Sequence, residues 1–389
     1  MVDDINKVEF LEQQLDLLKR KQKDSNIEWQ DIADFRSDYN GESEHRDTIR
    51  KGSKLLYEYL DAGWVHEPTS MSISESDEII RLKKERQKLS DARVEYNRQI
   101  RQEARKESYS EMIKRIICEN VEPTDLKVQY HTFNSNTDLL VHLTDIHTGI
   151  EINTWNNTFN QDILKERIEK FTSEILKIRD LHKSENCYLV IGEILSGIIH
   201  NNLRLQNNMD LMEQFKYVSE LISAMLIRIA NHFNNIYVYV TPGNHSRISP
   251  KKEDALDGEN MDVLLPFYLK ARLQNIKNID ICENNIDSEI AMFNIRGNNI
   301  FASHGHKDAP ASVVQNFTMM FGIKPDIVLL GHRHLNGLTT VYNAKVIESG
   351  CCSGTDQYAM SIRKTNRPEQ TISVVGQDGL VCLYDIQLD

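Results

Sequence analysis

The spacing of apolar residues gives the chain two textures. Over residues 1–23, Val8, Leu11, Leu15 and Leu18 recur every three or four positions, which predicts a short polar helix. Trp29, Ile32, Ala33 and Phe35 predict a second helix, the turn Tyr39-Asn40-Gly41 ends it, and Ile49, Leu55, Leu56, Tyr59 and Leu60 predict a third. Two short helices around a glycine-containing turn read as a helix-turn-helix-like unit, so residues 1–72 are expected to form an N-terminal helical module. From Ser74 to Ile117 a single helical pattern runs without proline or glycine. Glu122-Pro123-Thr124 stops it, because proline cannot continue a helix and pushes its predecessor out of the α region. Residues 73–125 are therefore expected to be a long basic helical linker.

Beyond residue 130 apolar runs alternate with helical patterns. Leu139–Leu143, Cys187–Ile191 and Ile236–Val240 read as strands, and Ile163–Leu181 and Leu211–Phe233 as helices between them. That alternation predicts βαβ units and a mostly parallel sheet, an α/β domain over residues 130–389. After Lys277 short strands dominate: Ile279–Cys282, Ile290–Ile295, Ile300–Ser303, Ile327–Leu330, Leu338–Tyr342 and Val346–Glu348, with turn signals at Gly297-Asn298 and Asp378-Gly379.

Charge refines this picture. With 46 Lys and Arg against 58 Asp and Glu the net charge is −12, which excludes a chain that coats nucleic acid indiscriminately; any polyanion surface must be local. From Arg81 to Ile116 there are twelve basic against six acidic residues, and the third predicted helix carries Arg46, Arg50, Lys51 and Lys54. A charged helix is by default a solvated face, and contact with DNA through Arg46, Arg50, Lys51, Lys83 and Lys84 is the functional alternative. The six cysteines lack CxxC spacing, and no leader-like or membrane-spanning apolar run is present, so a reduced, cytoplasmic protein with no membrane partner is expected. The chain is compatible with a homo-oligomer.

Five short polar motifs each follow an apolar run: Asp145-Ile146-His147, Gly192-Glu193, Gly243-Asn244-His245, His304-Gly305 and Gly331-His332-Arg333-His334. On an extended segment positions i and i+2 point the same way, so Asp145 and His147 could grip one ion, and the same spacing returns at His332 and His334. Ligand sites in α/β sheets lie outside the carboxyl ends of the strands, so five clusters at five strand ends are expected to converge. Carboxylate, imidazole and amide donors suit borderline divalent ions such as Mn, Fe or Zn, and two such ions could activate a shared water for attack on a phosphoester.

In order and composition these motifs resemble the calcineurin-like metallophosphoesterases, whose pattern is D-x-H, GD, GNH, H and GH-x-H. The resemblance covers about residues 138–350 and implies a four-layer α/β/β/α sandwich, here behind an N-terminal all-helical extension. It implies that Asp145, His147 and His334 hold one metal, that Asn244, His304 and His332 hold the other, and that Glu193 bridges them. Two divalent ions are implied, Mn first, with Fe, Zn or Mg as alternatives. His245 would stabilise the transition state or protonate the leaving oxygen. The chain departs from the pattern at Glu193, where the family has Asp; the extra methylene puts metal affinity in question more than the fold.

The match is closer to a phage and bacterial subgroup in which an N-terminal helical module precedes the catalytic domain. There Gly-Asn-His continues as here with Ser246-Arg247, and the second motif as Ser196-Gly197-x-x-His200. Arg247 and His200 are carried over as phosphate contacts, and homology to DNA-repair exonucleases makes DNA the expected substrate. Two rivals share the motifs: a phosphatase acting on protein or small-molecule phosphoesters, and a catalytically impaired DNA-binding regulator, for which Glu193 is the hint. His142, His182 and His232 are expected to be structural or solvated, His306 is a substitute candidate for His304, and Cys351-Cys352 is expected to pack near the site.

Overall fold

The apolar strands are apolar on both faces because both faces are covered. The computed structural model describes residues 2–24, 26–41, 43–62, 73–125, 128–130, 132–199, 201–250 and 258–389, and it divides into two compact units, Met1–Asn97 and Arg98–Asp389. The first unit contains α1 (Val2–Lys23), α2 (Trp29–Asn40) and α3 (Arg46–Asp61). Leu18, Ile32, Ala33 and Ile49 bury one side chain cluster among these three helices. Gly41 at φ 72° ends α2 in the left-handed conformation a C-terminal cap favours, its N–H donating to Ser37 O. Arg36 forks onto both oxygens of Glu44 across the turn, at 2.9 and 3.3 Å. Arg46, Arg50 and Lys51 stand exposed on α3.

The expected linker is one helix, α4 (Ile73–Asn120), and the boundary between the units falls inside it. Every residue from Ile80 to Asn97 is exposed, Lys83 and Lys84 included. At the other end Ile113, Ile117 and Val121, one turn apart, pack into the core of the second unit, so the last turns of α4 belong to that body by burial. Residues 63–72, the end of the expected N-terminal module, lie outside the described residues.

In the second unit the chain runs β1 (Asp138–Leu143), β2 (Ile152–Asn153), β3 (Thr158–Phe159), α5 (Gln161–His182), β4 (Cys187–Gly192), α6 (Asn201–Gln206), α7 (Leu211–Ala230) and β5 (Ile236–Thr241). It continues through α8 (Leu265–Arg272), β6 (Ile279–Ile281), β7 (Ile290–Ile295), β8 (Asn298–Ser303), α9 (Val313–Phe321) and β9 (Ile327–Leu330). It ends with β10 (Gly337–Val341), β11 (Ala344–Glu348), α10 (Gln357–Ser361), β12 (Glu369–Gly376) and β13 (Gly379–Gln387). One sheet has the order β13-β12-β1-β4-β5-β6, parallel from β1 to β6 and antiparallel where β12 and β13 join β1. The other has the order β10-β11-β9-β8-β7, with β11, β9 and β8 parallel. Arg296 and Gly297, at φ 49° and 94°, make the tight β7–β8 turn.

Side-chain alternation sorts the layers. In β1, Leu139, Val141 and Leu143 face the core shared with α5 and α7, while Leu140 faces the other sheet. In β9, Ile327 and Leu329 face that inter-sheet layer and Val328 and Leu330 face α9. Tyr188, Tyr239 and Phe293 close the edge of the layer, with Tyr239 and Phe293 stacked at 4.1 Å. The expected α/β/β/α sandwich is therefore present. Helix starts are fixed locally: Asn160 accepts from Ile163 N–H to start α5, and Asp210 with Glu213 forms a capping box on α7.

Because Leu329 is buried in the inter-sheet layer that joins the two strand sets, Leu329→Ala is expected to destabilise the second unit by about 2–5 kcal/mol. Chemical denaturation followed by circular dichroism reads this out; a loss well under 1 kcal/mol would contradict the layer assignment.

Candidate metal centre

All five motifs sit at carboxyl ends of strands, three on the first sheet (β1, β4, β5) and two on the second (β8, β9), so the site is a seam between two rims. The sequence reading placed the i, i+2 pairs on extended backbone, and here the structure differs. Asp145 (φ 52°), His147 (52°), Glu193 (44°), His332 (69°) and His334 (57°) are all left-handed. Each such residue costs on the order of 1 kcal/mol or more, so strain is concentrated at the expected ligands. It is held by bonds that continue past the strands: Asp145, Ile146 and Thr148 N–H donate to Gly192, Glu193 and Ile194 O at 3.2, 2.9 and 3.1 Å. Across the seam His332 N–H donates to Asp145 Oδ2 at 2.9 Å.

Two glycines allow the close approach. A Cβ on Gly331 would lie 2.6 Å from Asp145 Oδ2, and one on Gly243 would overlap the Glu193 carboxylate. The second clearance accommodates the extra methylene that sets Glu193 apart from the family pattern.

The carboxylates share one logic. Asp145 and Glu193 are fully buried, at 0% exposure. Asp145 Oδ2 accepts from Thr144 Oγ1 and His332 N–H, both at 2.9 Å, and Glu193 Oε1 accepts from His245 N–H at 3.0 Å. The other oxygens, Asp145 Oδ1 and Glu193 Oε2, make no hydrogen bond of acceptable geometry. Asp145 Oδ1 instead faces His334 Nε2 at 3.2 Å and His147 Nε2 at 3.8 Å, and Glu193 Oε2 faces His304 Nε2. His147 Nε2 and His334 Nε2 are 3.1 Å apart, and Asn244 Oδ1 lies 3.2 Å from His304 Nε2.

Among the described residues three donor groups result: Asp145, His147 and His334; His147, Glu193 and His245; and Glu193, His304 and His332. Glu193 and His147 are each shared between two groups, which links them in a row. Bare buried carboxylate oxygens beside imidazole nitrogens fit divalent cations of the borderline class. His147 is driven down to about 3 by burial first and then by His245 and His334, so its imidazole is neutral and can coordinate without losing a proton. Against burial, Glu193 and Asp145 raise His304, and Cys351 with Asp145 raises His334 well above its ordinary range. A cation there would displace those protons.

His245 stands at the mouth. Its Nδ1 lies 3.1 Å from Ser196 O, and since a carbonyl only accepts, Nδ1 donates and Nε2 turns inward, 3.7 Å from Glu193 Oε1. Asn244 and His245 are half-buried and His332 is exposed, so the site has a buried floor and an open side.

The eight residues expected at the centre are thus together. The Arg247 guanidinium donates to Ser249 O at 3.2 Å and Pro250 O at 3.5 Å, in its own turn. His200 lies outside the described residues. The His306 ring is tilted against that of His304, centroids 5.4 Å apart, and burial pushes it to about 4. Cys351 is buried against His334, and Cys352 N–H donates to Asp145 O at 3.0 Å. His182 bonds Tyr384, His232 is half-buried and His142 is buried between the sheets. Sequence reasoning missed Gln370 on β12, whose Nε2 donates to Thr144 O and Gly350 O at 2.9 and 2.8 Å and whose Oε1 accepts from Thr144 N–H at 2.8 Å. The only signal was one amide inside an otherwise strand-like run.

Among solved structures, an archaeal phosphodiesterase described as novel is 14% identical, with a TM-score of 0.32, over 64% of this chain and 99% of its own. Zinc-complexed wild-type Vps29 from Entamoeba histolytica is 10% identical, with a TM-score of 0.31, over 64% and 99%. A hypothetical protein from Pyrococcus horikoshii OT3 is 14% identical, with a TM-score of 0.33, over 64% and 87%. Likenesses this weak carry no weight of their own. No protein of curated function matches the chain. Among the described residues no helix is long and apolar enough to cross a membrane. The sequence model of the calcineurin-like phosphoesterases matches residues 139–359, more than half of the chain and the stretch that holds every residue of the centre. The chain belongs to the calcineurin-like phosphoesterase family and is a metal-dependent phosphoester hydrolase.

Proposed function

We propose that this chain is a dinuclear-metal phosphodiesterase that cleaves nucleic-acid backbones. The observation that carries the reading is the row of donor groups joined through Glu193 and His147, with His245 at its open side. Asp145, His147 and His334 would hold one ion, and Asn244, His304 and His332 the other, with Glu193 between them. Two ions held there supply an activated water as nucleophile and neutralise charge on the phosphoryl group. His245, its Nδ1–H donated to Ser196 O, would give an imidazolium proton from Nε2 to the leaving oxygen and be left as the neutral imidazole. Asp145 and Glu193 keep their carboxylates ionised because the surrounding imidazoles offset burial.

Support for nucleic acid as the substrate is separate. Arg46, Arg50 and Lys54 recur at four-residue spacing on α3 and form one exposed basic stripe, flanked by Lys51. The exposed stretch of α4 adds Lys83 and Lys84. The resemblance to a subgroup related to DNA-repair exonucleases points the same way. A homo-oligomer is compatible with this reading.

With Mn, the purified chain is expected to hydrolyse bis-p-nitrophenyl phosphate and DNA. His245→Ala should lower kcat about 100- to 10,000-fold, and Asp145→Ala should remove activity. Full turnover in either variant would refute the assignment. Glu193→Asp, which mimics the family pattern, is expected to lower turnover, because the shorter side chain gives up the 3.0 Å bond from His245 N–H; a large gain would identify the natural enzyme as impaired. Reversing charge at Arg46, Arg50 and Lys51 should reduce cleavage of DNA while sparing bis-p-nitrophenyl phosphate. Equal rates on both substrates would remove the N-terminal unit from substrate binding.

A further inference from the structure

The ladder between β4 and β5 ends at Gly192 and Thr241, just before Glu193 and Asn244. Past that point no strand pairing fixes how far apart these two residues sit, yet in the proposed reading they serve the same ion. Besides the His245 N–H bond to Glu193 Oε1, one buried side chain ties the two loops together. Asp262 has 0% exposure, its Oδ2 accepts from Gly243 N–H at 2.8 Å, and its Oδ1 accepts from Ile194 N–H at 3.3 Å. Gly243 immediately precedes Asn244, and Ile194 immediately follows Glu193.

Asp262 is itself held in place. Its N–H donates to Asn260 Oδ1 at 2.9 Å, Asn260 Nδ2 donates to Gly243 O at 2.7 Å, and Met261 N–H donates to Ser246 O at 2.8 Å. Residues 259–262 thus lie along the loop carrying Asn244 and His245, with Ile248 N–H donating to Glu259 O at 3.0 Å. The choice of acid has a chemical reason. Each of the two N–H groups needs an acceptor, and a carboxylate offers one oxygen to each. An amide has a single acceptor, and its NH2 would face an N–H. Placing another carboxylate near Glu193 is electrostatically unfavourable, so packing alone would not select it.

We propose that Asp262 is a positioning residue for the metal centre: by tying Ile194 to Gly243 it sets the separation of Glu193 and Asn244, and so the affinity of the ion they share, without touching ion or substrate. The proposal rests on the dinuclear reading above. Such outer partners typically change metal affinity 10- to 100-fold when altered.

The test is Mn(II) titration of the metal-free full chain, counting bound ions from the free-ion electron paramagnetic resonance signal. Wild type is expected to bind two ions. Asp262→Asn should weaken one of them about 10- to 100-fold and leave the other unchanged, with kcat recovering at high Mn and KM for bis-p-nitrophenyl phosphate unmoved. In an Asn244→Ala background the same substitution should add little further loss, because both act on one ion. Two unchanged affinities in folded Asp262→Asn, or equal weakening of both, overturn the positioning role alone. Fewer than two ions on wild type overturn it together with the dinuclear reading. Should Asp262→Asn fail to fold, Asn260→Ala, which releases Gly243 O, is read by the same criteria: selective weakening of one ion supports the role, and equal or no weakening overturns it.

Discussion

Two carboxylates without solvent contact, Asp145 and Glu193, are the constraint around which the second unit is arranged. Ions removed from water are costly unless countercharge and hydrogen bonds surround them. The chain meets this half-way by design of its backbone. One oxygen of each group is saturated by a main-chain N–H, from His332 and His245 respectively, and the other is left to imidazoles and whatever cation they admit. Removing the imidazoles would leave buried like charges, and removing the N–H donors would let the carboxylates swing. The positive φ values at five of these residues are the conformational expense of aiming side chains inward from loops that still follow the strand direction.

Much of this was legible in the sequence, for identifiable reasons. A strand covered on both faces must be apolar throughout, so Cys187–Ile191, Ile236–Val240 and Ile327–Leu330 announced themselves, and a polar cluster after each could only be at a rim. Proline at 123 and glycine at 41 marked helix ends because their backbone chemistry allows little else. What stayed hidden depends on pairings remote in the chain. That the motifs divide between two sheets does not follow from their order, and neither does the antiparallel insertion of β12 beside β1. The i, i+2 rule paired Asp145 with His147 through the wrong conformation: they converge because both are left-handed, not because the segment is extended, while His332 and His334, at the same spacing, fall in different donor groups.

The supporting residues were the least visible. Gln370 and Asp262 carry no motif; each matters because two backbone groups happen to point at it, and a linear reading contains no such information. Arg247 illustrates the converse: a basic residue beside His245 invites a phosphate role by type alone, and the structure adds that its guanidinium donates to Ser249 O in its own turn. Residue type signals chemistry that a side chain does itself, and is silent about what it does for its neighbours.

The position of β12 has a consequence for how the molecule comes into being. The strand lies between β1 and β13, so β1 gains its second neighbour only when residues 369–376 exist, more than two hundred positions after it was made. During synthesis the ribosome releases Asp145 and Glu193 long before His332, His334 and Gln370. A nascent chain therefore offers no assembled cation trap, and maturation of the centre waits for closure of its most sequence-distant pairing.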